Sequence, residues 1–364
     1  MLHSSVLAWL AVEKFGMGVP HHRLEQQLAC EGVPLDRSVM CRNMEEIGSL
    51  LSATVVSAML EHARTACQVL STDATGAAIQ PGPRGEGPKR PCKKGHFFTI
   101  VADCDHVLFE YASEHSSSVV AQLFKGFTGL LQSDASSVYD ILERGPPGPT
   151  TKARRWSAAG RTAGATSSTP PSASTPSGSR ACCVSARSTP PIRLWRSSPS
   201  ERARRRLGAV KTLIDDFFAW VATEARKPSG RNLATKALGY ALNQEHELRR
   251  VLVDGRLPLD NSRSERALRS IVVGRKAWLF YGSDAHANAA AAIFSLIASC
   301  RLHRLDPTAY LDDLLRVLPQ WPQHRYLDLA PFRWQATRAQ LIARELEEPL
   351  GHITVPAASA LATP

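Results

Sequence analysis

The chain has 364 residues, 43% of them hydrophobic, enough for two domains or one elaborated domain whose core needs no disulfides. Its eight cysteines (Cys30, Cys41, Cys67, Cys92, Cys104, Cys182, Cys183, Cys300) show no Cys-x-x-Cys pair and no His/Cys group at zinc spacing, which fits a reduced, cytosolic setting. The formal charge is +11, but residues 144–206 carry thirteen basic residues against one acidic, so the rest is about −1 and global basicity is no argument for DNA.

In chain order, SSVLAWLAV near the start has neither a basic flank before it nor a small-residue cleavage site after it, and no apolar run reaches the ~18 residues that span a bilayer. The expectation is a soluble, unexported chain. Residues 1–62 read as a helical segment broken near Gly32 and Pro34. Asp36 is placed to cap a second helix that holds Arg37 and Arg42. Such a pair is either a helix-turn-helix whose second helix enters the major groove or a plain helical hairpin.

Residues 63–143 change period. ACQVLSTD, HFFTIVADC and VLFEYASEH predict three strands, with a Gly/Pro/Lys-rich loop over 81–95 between the first two. VVAQLFKGF predicts a short helix, and GLLQSDASSVYD a fourth strand ending at Asp134. Strands followed by a helix and a further strand give a sheet with helices on its faces.

Residues 144–206 differ. Gly145 to Pro199 holds nine prolines, much Ser, Thr, Ala and Arg, no acidic residue and no period. Such composition buries too little apolar area to offset its ordering entropy, so the segment reads as disordered. Patterning returns at Leu207, where Val210, Leu213, Ile214, Phe217, Phe218 and Val221 mark an amphipathic helix, followed by a second over 232–253, in a helical insertion spanning 207–255.

Residues 256–316 open on LDNSRSERALRSIVVGRKAWLF, where acids stand among bases. Asp260 and Asn261 are placed to shape a turn and cap a helix, while Trp278 and Phe280 alternate as in a strand and read as core rather than as base-stacking platforms. AHANAAAAIFSLIASCRLHRL predicts a helix that packs closely, and Asp306-Pro307 caps and opens the next. The tail, 317–364, ends in a charged helix and an Ala/Pro-rich stretch. His96, His106, His286 and His303 show no ligand spacing.

Asp73 closes the first predicted strand, Asp134 the fourth, and Glu265 lies near a helix start. Three carboxylates brought together would suit hard divalent cations, and two such ions about 4 Å apart can serve both oxygens of a phosphodiester displacement. Acids at strand ends and helix starts are also common turn formers and caps, so spacing alone does not single these out.

STDATG, HFFTIVADCDHVLFEYASEH, GFTGLLQSDASSVYD, DGRLPLDNSRSERALRSIVVGRKAWLFYGSDAHA and SLIASCRLHRLDPTAYLDDLLRVLP together resemble the catalytic region of the insertion sequence 66 family of bacterial DDE transposases, in the family's order. The resemblance implies an α/β, ribonuclease-H-like core, a mixed sheet flanked by helices and split by the helical insertion. It implies the triad Asp73, Asp134 and Glu265, two Mg²⁺ (or Mn²⁺) ions, nicking at transposon ends and transfer of the freed 3′-hydroxyl to target DNA. Homo-oligomers and helper proteins of the same element are its implied partners, and the bacterial cytoplasm and nucleoid its implied place.

Arg266, Arg269, Arg275 and Lys276 are candidate phosphate ligands, with helix-face ion pairing as the alternative. The chain departs from the family at Ala74-Thr75 and at Ala135-Ser136, and it begins after the family's zipper-like helix and Cys-rich zinc module. It also lacks, in 145–199, the family's Trp-x-His-x-Arg-Arg-x-Phe helix. A shifted reading frame of a GC-rich gene would give such composition; a true basic linker is the rival. Function therefore stands between a transposase or its inactive remnant, a DNA-binding protein without catalysis, and another ribonuclease-H-like nuclease or resolvase.

Overall fold

The computed structural model describes residues 2–81, 91–103, 105–134, 136–144, 154–157, 198–227, 233–259, 262–348 and 351–358. The chain divides into two compact units, one of Met1–Cys67, Asp73–Val119 and Ser264–Pro364, the other of Gln68–Thr72 and Val120–Arg263. The architecture is mixed α/β, and the strands of its sheet run in the order β3 (His106–Ala112), β2 (Lys93–Ala102), β1 (Val69–Ile79), β4 (Leu130–Ser133), β5 (Arg154–Ser157).

The first unit begins with α1 (Ser4–Ala11), α2 (His21–Cys30), α3 (Arg37–Leu51) and α4 (Ser57–Thr65). α2 stops where expected. Gly32 takes φ +81°, a conformation L side chains avoid, and Val33 N–H returns to Leu28 O at 2.8 Å. Asp36 Oδ1 then accepts Ser38 N–H at 2.6 Å and opens α3. α3 buries Met40, Met44, Ile47 and Leu51 and leaves Arg37 and Arg42 exposed.

His21, at the start of α2, is buried, with Nδ1 3.1 Å from Cys41 Sγ. Burial first, then the charges of Lys14 and His286, push its pKa from 6.5 to about 3. The folded chain keeps this ring neutral while the unfolded chain protonates it below pH 6.5, so stability is full above 6.5 and falls as pH drops toward 3. Urea titrations should lose about 1.4 kcal/mol per pH unit from this one residue within that window. His21→Phe is expected to remove that slope; an unchanged slope would contradict the assignment.

β1 (Val69–Ile79) is longer than the predicted strand and begins in the second unit. β2 (Lys93–Ala102) starts inside the predicted loop and pairs antiparallel with β3 (His106–Ala112), in register from His96↔Ala112 to Ala102↔His106. β3 is an edge strand, and a helix covers it. In α12 (Asp284–Leu302, numbered after the helices described below), Ser299 Oγ accepts Val107 N–H and donates to Val107 O, both at 3.0 Å. Ser295 Oγ accepts Phe109 N–H at 2.8 Å. The two serines stand in for a missing neighbour strand, which is one way proteins cover an edge.

The small residues of α12 also let α3 approach closely: a Cβ on Gly48 would lie 2.5 Å from Ala289 O. Among the described residues α12 is the one helix long and apolar enough to cross a membrane, and 67% of that window is buried inside the protein. Its apolarity is accounted for by packing. α13 (Pro307–Val317) opens on Asp306 as expected, with Oδ1 accepting Thr308 N–H at 2.8 Å, and α14 (Pro331–Arg338) and α15 (Ala343–Glu347) follow.

In the second unit Val69, Leu70 and Ser71 of β1 pair in parallel with Leu130, Leu131 and Gln132 of β4 (Leu130–Ser133). α5 (Ser117–Leu123) leads to β4, and α6 (Ile141–Arg144) follows it. β5 (Arg154–Ser157) pairs in parallel with β4, so four residues of the segment read as disordered form a strand; most of 145–199 lies outside the described residues.

α7 (Pro199–Arg205) and α8 (Lys211–Ala225) run on through a π-turn, so ordered structure resumes before Leu207. Arg206 explains why: it is buried and donates to Val251 O and Asp254 O at 3.1 and 3.2 Å, carbonyls at the end of α10 (Glu245–Val253). The single helix expected over 232–253 is two, α9 (Leu233–Asn243) and α10. Val251, Leu252 and Leu257 form a small core with Leu130, Val210, Ile214 and Leu259.

Candidate functional site

Asp73 sits within β1, six residues before its end, rather than closing the strand as the sequence suggested. Its Oδ1 accepts Ala74 N–H at 2.8 Å. β propensity beyond Asp73 is poor, yet the strand continues beside β2 and ends where Ile79 bridges Tyr281, with Tyr281 N–H on Ala78 O at 2.9 Å. Asp134 directly follows β4, as expected. Local bonds hold it in place: Ser136 N–H reaches Asp134 Oδ1 at 3.3 Å, and Ser133 Oγ donates to Asp134 O at 2.9 Å.

Glu265 is exposed in the first turn of α11 (Ser262–Trp278), where the helix dipole favours a negative charge. Asp260 and Asn261, read as turn and cap, lie outside the described residues.

The cations divide. Arg266, Arg269 and Lys276 are exposed, while Arg275 is half-buried, its Nη1 donating to Gly76 O and, at 3.2 Å, to Thr75 Oγ1. Arg275 thus ties the last turn of α11 to β1, a use its sequence context did not show.

The rest of the GRKAWLFYGSD element is also structural. A Cβ on Gly274 would fall 2.3 Å from the Trp278 ring, and that ring meets Phe15 and Tyr281 edge-on at 6.1 and 6.3 Å. Trp278 ends a helix instead of alternating in a strand, because Leu279 turns the chain at φ +68°, and Phe280 is 44% exposed rather than core. Ser283 Oγ accepts His286 N–H at 3.1 Å and caps α12, and Asp284 takes Tyr111 Oη at 2.5 Å and Lys93 Nζ.

One group of potential metal ligands among the described residues was not legible in the sequence. His62, Cys67 and Asp105 bring a ligand atom each within 4.8 Å of one another. They come from three places in the chain with no motif spacing, and only the fold collects them.

Residues 1–289 match the family model described as Transposase IS66 family, and residues 295–332 match the one described as IS66 C-terminal element. The chain belongs to the IS66 transposase family. Among its relatives, an uncharacterized protein y4hP of Sinorhizobium fredii (strain NBRC 101917 / NGR234) is 28% identical over 367 residues, which cover 93% of this chain and 63% of that protein. A second uncharacterized protein of the same strain, y4qI, is 25% identical over 350 residues, covering 91% of this chain and 62% of its own length. The chain therefore spans less than two thirds of these relatives. The family match runs across both compact units.

Proposed function

We propose that the chain is the catalytic part of an insertion-sequence transposase built on a ribonuclease-H-like core. In this reading Asp73, Asp134 and Glu265 hold two Mg²⁺ or Mn²⁺ ions. The observation that carries it is the parallel ladder in the second unit: Ser71 pairs with Gln132, and two residues further along the chain from each stands an aspartate, Asp73 in β1 and Asp134 just after β4. Three carboxylates are the hard oxygen donors such ions prefer. The backbone bonds to Oδ1 of Asp73 and of Asp134 set the orientation of each carboxylate.

When bound, the ions would activate the attacking oxygen and stabilise the leaving oxygen of a phosphodiester. The protein's own part is to orient three carboxylates and to hold DNA. Exposed Arg266, Arg269 and Lys276 on α11 are proposed to meet phosphates near the acids, with Arg275 positioning β1, and exposed Arg37 and Arg42 on α3 to meet flanking DNA. Oligomers and helper proteins of the element complete the proposed assembly.

Incubating the full chain with a supercoiled plasmid carrying its encoding element tests this reading. Mg²⁺-dependent nicking or joining at the element ends is expected. Salt-dependent binding without cleavage, indifferent to metal, would instead mark a DNA-binding protein or an inactive remnant, and cutting confined to branched substrates a resolvase.

We further propose that most of residues 145–199 is read out of frame, from its nine prolines and missing acids. Translating the other two frames of the gene should recover a Trp-x-His-x-Arg-Arg-x-Phe helix; its absence from both would overturn the idea in favour of a basic linker.

A further inference from the structure

We propose that His62, Cys67 and Asp105 form a binding site for Zn²⁺ or a divalent ion of like preference, clamping the end of α4, the Cys67 segment after it and the β2–β3 turn. All three lie in the first unit, and their mixed sulfur, nitrogen and oxygen donors differ in chemistry from the carboxylate triad. Their ligand atoms are within 4.8 Å of one another, and Cys67 Sγ stands 4.0 Å from Asp105 Oδ2. Bonds of about 2.0–2.3 Å to a shared ion need only a small contraction of that set.

The surroundings hold each ligand in place, as outer partners of metal sites do. His62 Nδ1 faces His106 Nε2 at 2.9 Å, and the His62 ring stacks on Phe332 with centroids 5.1 Å apart. The turn carrying Asp105 is closed by Asp105 N–H to Ala102 O at 3.0 Å, and Asp105 O meets His303 Nε2 at 2.8 Å. His106 is fully buried, and its Nδ1 has no hydrogen-bond partner among the described residues.

Charge is consistent with a dication. Thiolate and carboxylate would neutralise it, and Arg333, the cation that bears on His62 and His106, is already paired with Asp328 at 3.2 Å. Binding would require the Cys67 thiol to give up its proton to the metal. One thiolate, one imidazole and one carboxylate select zinc-like ions over Mg²⁺ or Mn²⁺.

Co²⁺ is the probe. Titrated into the reduced full chain, it should give a thiolate-to-cobalt charge-transfer band and tetrahedral d–d bands at one ion per chain, bleached by Zn²⁺. Cys67→Ser should lose the charge-transfer band, and His62→Gln, at a half-exposed position, should weaken binding at least about tenfold. Cys30→Ser should change neither, since Cys30 is exposed and distant in sequence. No band in the wild-type chain, a band that survives Cys67→Ser, or unaltered affinity in His62→Gln would each overturn the proposal. If Cys67→Ser fails to fold, the His62→Gln affinity decides it.

Discussion

Replacing Ser295 and Ser299 together by alanine is expected to destabilise the first unit by about 3–9 kcal/mol. Both side chains are fully buried, and both serve the outer edge of β3. Removing Ser299 Oγ strands Val107 N–H and Val107 O, and removing Ser295 Oγ strands Phe109 N–H. Each buried group left without a partner costs about 1–3 kcal/mol, while the lost hydroxyl volume is small. Chemical denaturation measures the loss, and hydrogen exchange locates it: the Val107 and Phe109 amides should lose protection first. A double variant within about 1 kcal/mol of wild type would contradict this account of the edge.

Asp73→Asn carries the largest expected effect on activity. The change keeps size and can still accept Ala74 N–H, so folding should be preserved. It removes a negative oxygen donor, which hard cations require. Metal-dependent nicking of the element-bearing plasmid should therefore fall by at least about 10²–10³-fold, the range for losing a group that stabilises transition-state charge. DNA binding should persist, because Arg266, Arg269 and Lys276 remain. Cleavage retained at wild-type rate would remove Asp73 from the site.

Much of the fold was legible in the residues. Gly32 and Asp36 marked the break and cap before α3, Asp306-Pro307 opened α13, and the strands around Phe97, Phe98 and Phe109 followed from their apolar content. The misreadings have physical causes. The strand predicted to close at Asp73 runs on to Ile79 although Ala74 and Gly76 disfavour it, because β2 lies beside it and Arg275 and Tyr281, two hundred residues later, bond to its end. Trp278 and Phe280 looked like alternating strand positions, but period two over three residues cannot be told from a helix end, and Leu279 at positive φ decides it.

The site was legible to a lesser degree. Asp134 after β4 and Glu265 in the first turn of α11 stand where the sequence put them. Arg275, one of the four candidate phosphate ligands, also tethers its helix to β1 through Thr75 and Gly76, which no spacing in the sequence signals. His62, Cys67 and Asp105 left no trace in spacing, because tertiary contact alone assembles them. The GRKAWLFYGSD stretch is mainly architecture: room for Trp278 at Gly274, a bridge at Tyr281, a cap at Ser283.

The central claim is that Asp73, Asp134 and Glu265 jointly bind the catalytic ions. Mn²⁺ counted by electron paramagnetic resonance on the full chain tests it most directly, with Zn²⁺ supplied beforehand so that the His62, Cys67 and Asp105 cluster does not contribute. Two Mn²⁺ ions are expected in the wild-type chain and none at the same concentration in the Asp73→Asn, Asp134→Asn, Glu265→Gln triple variant. Equal Mn²⁺ binding by the two proteins would contradict it.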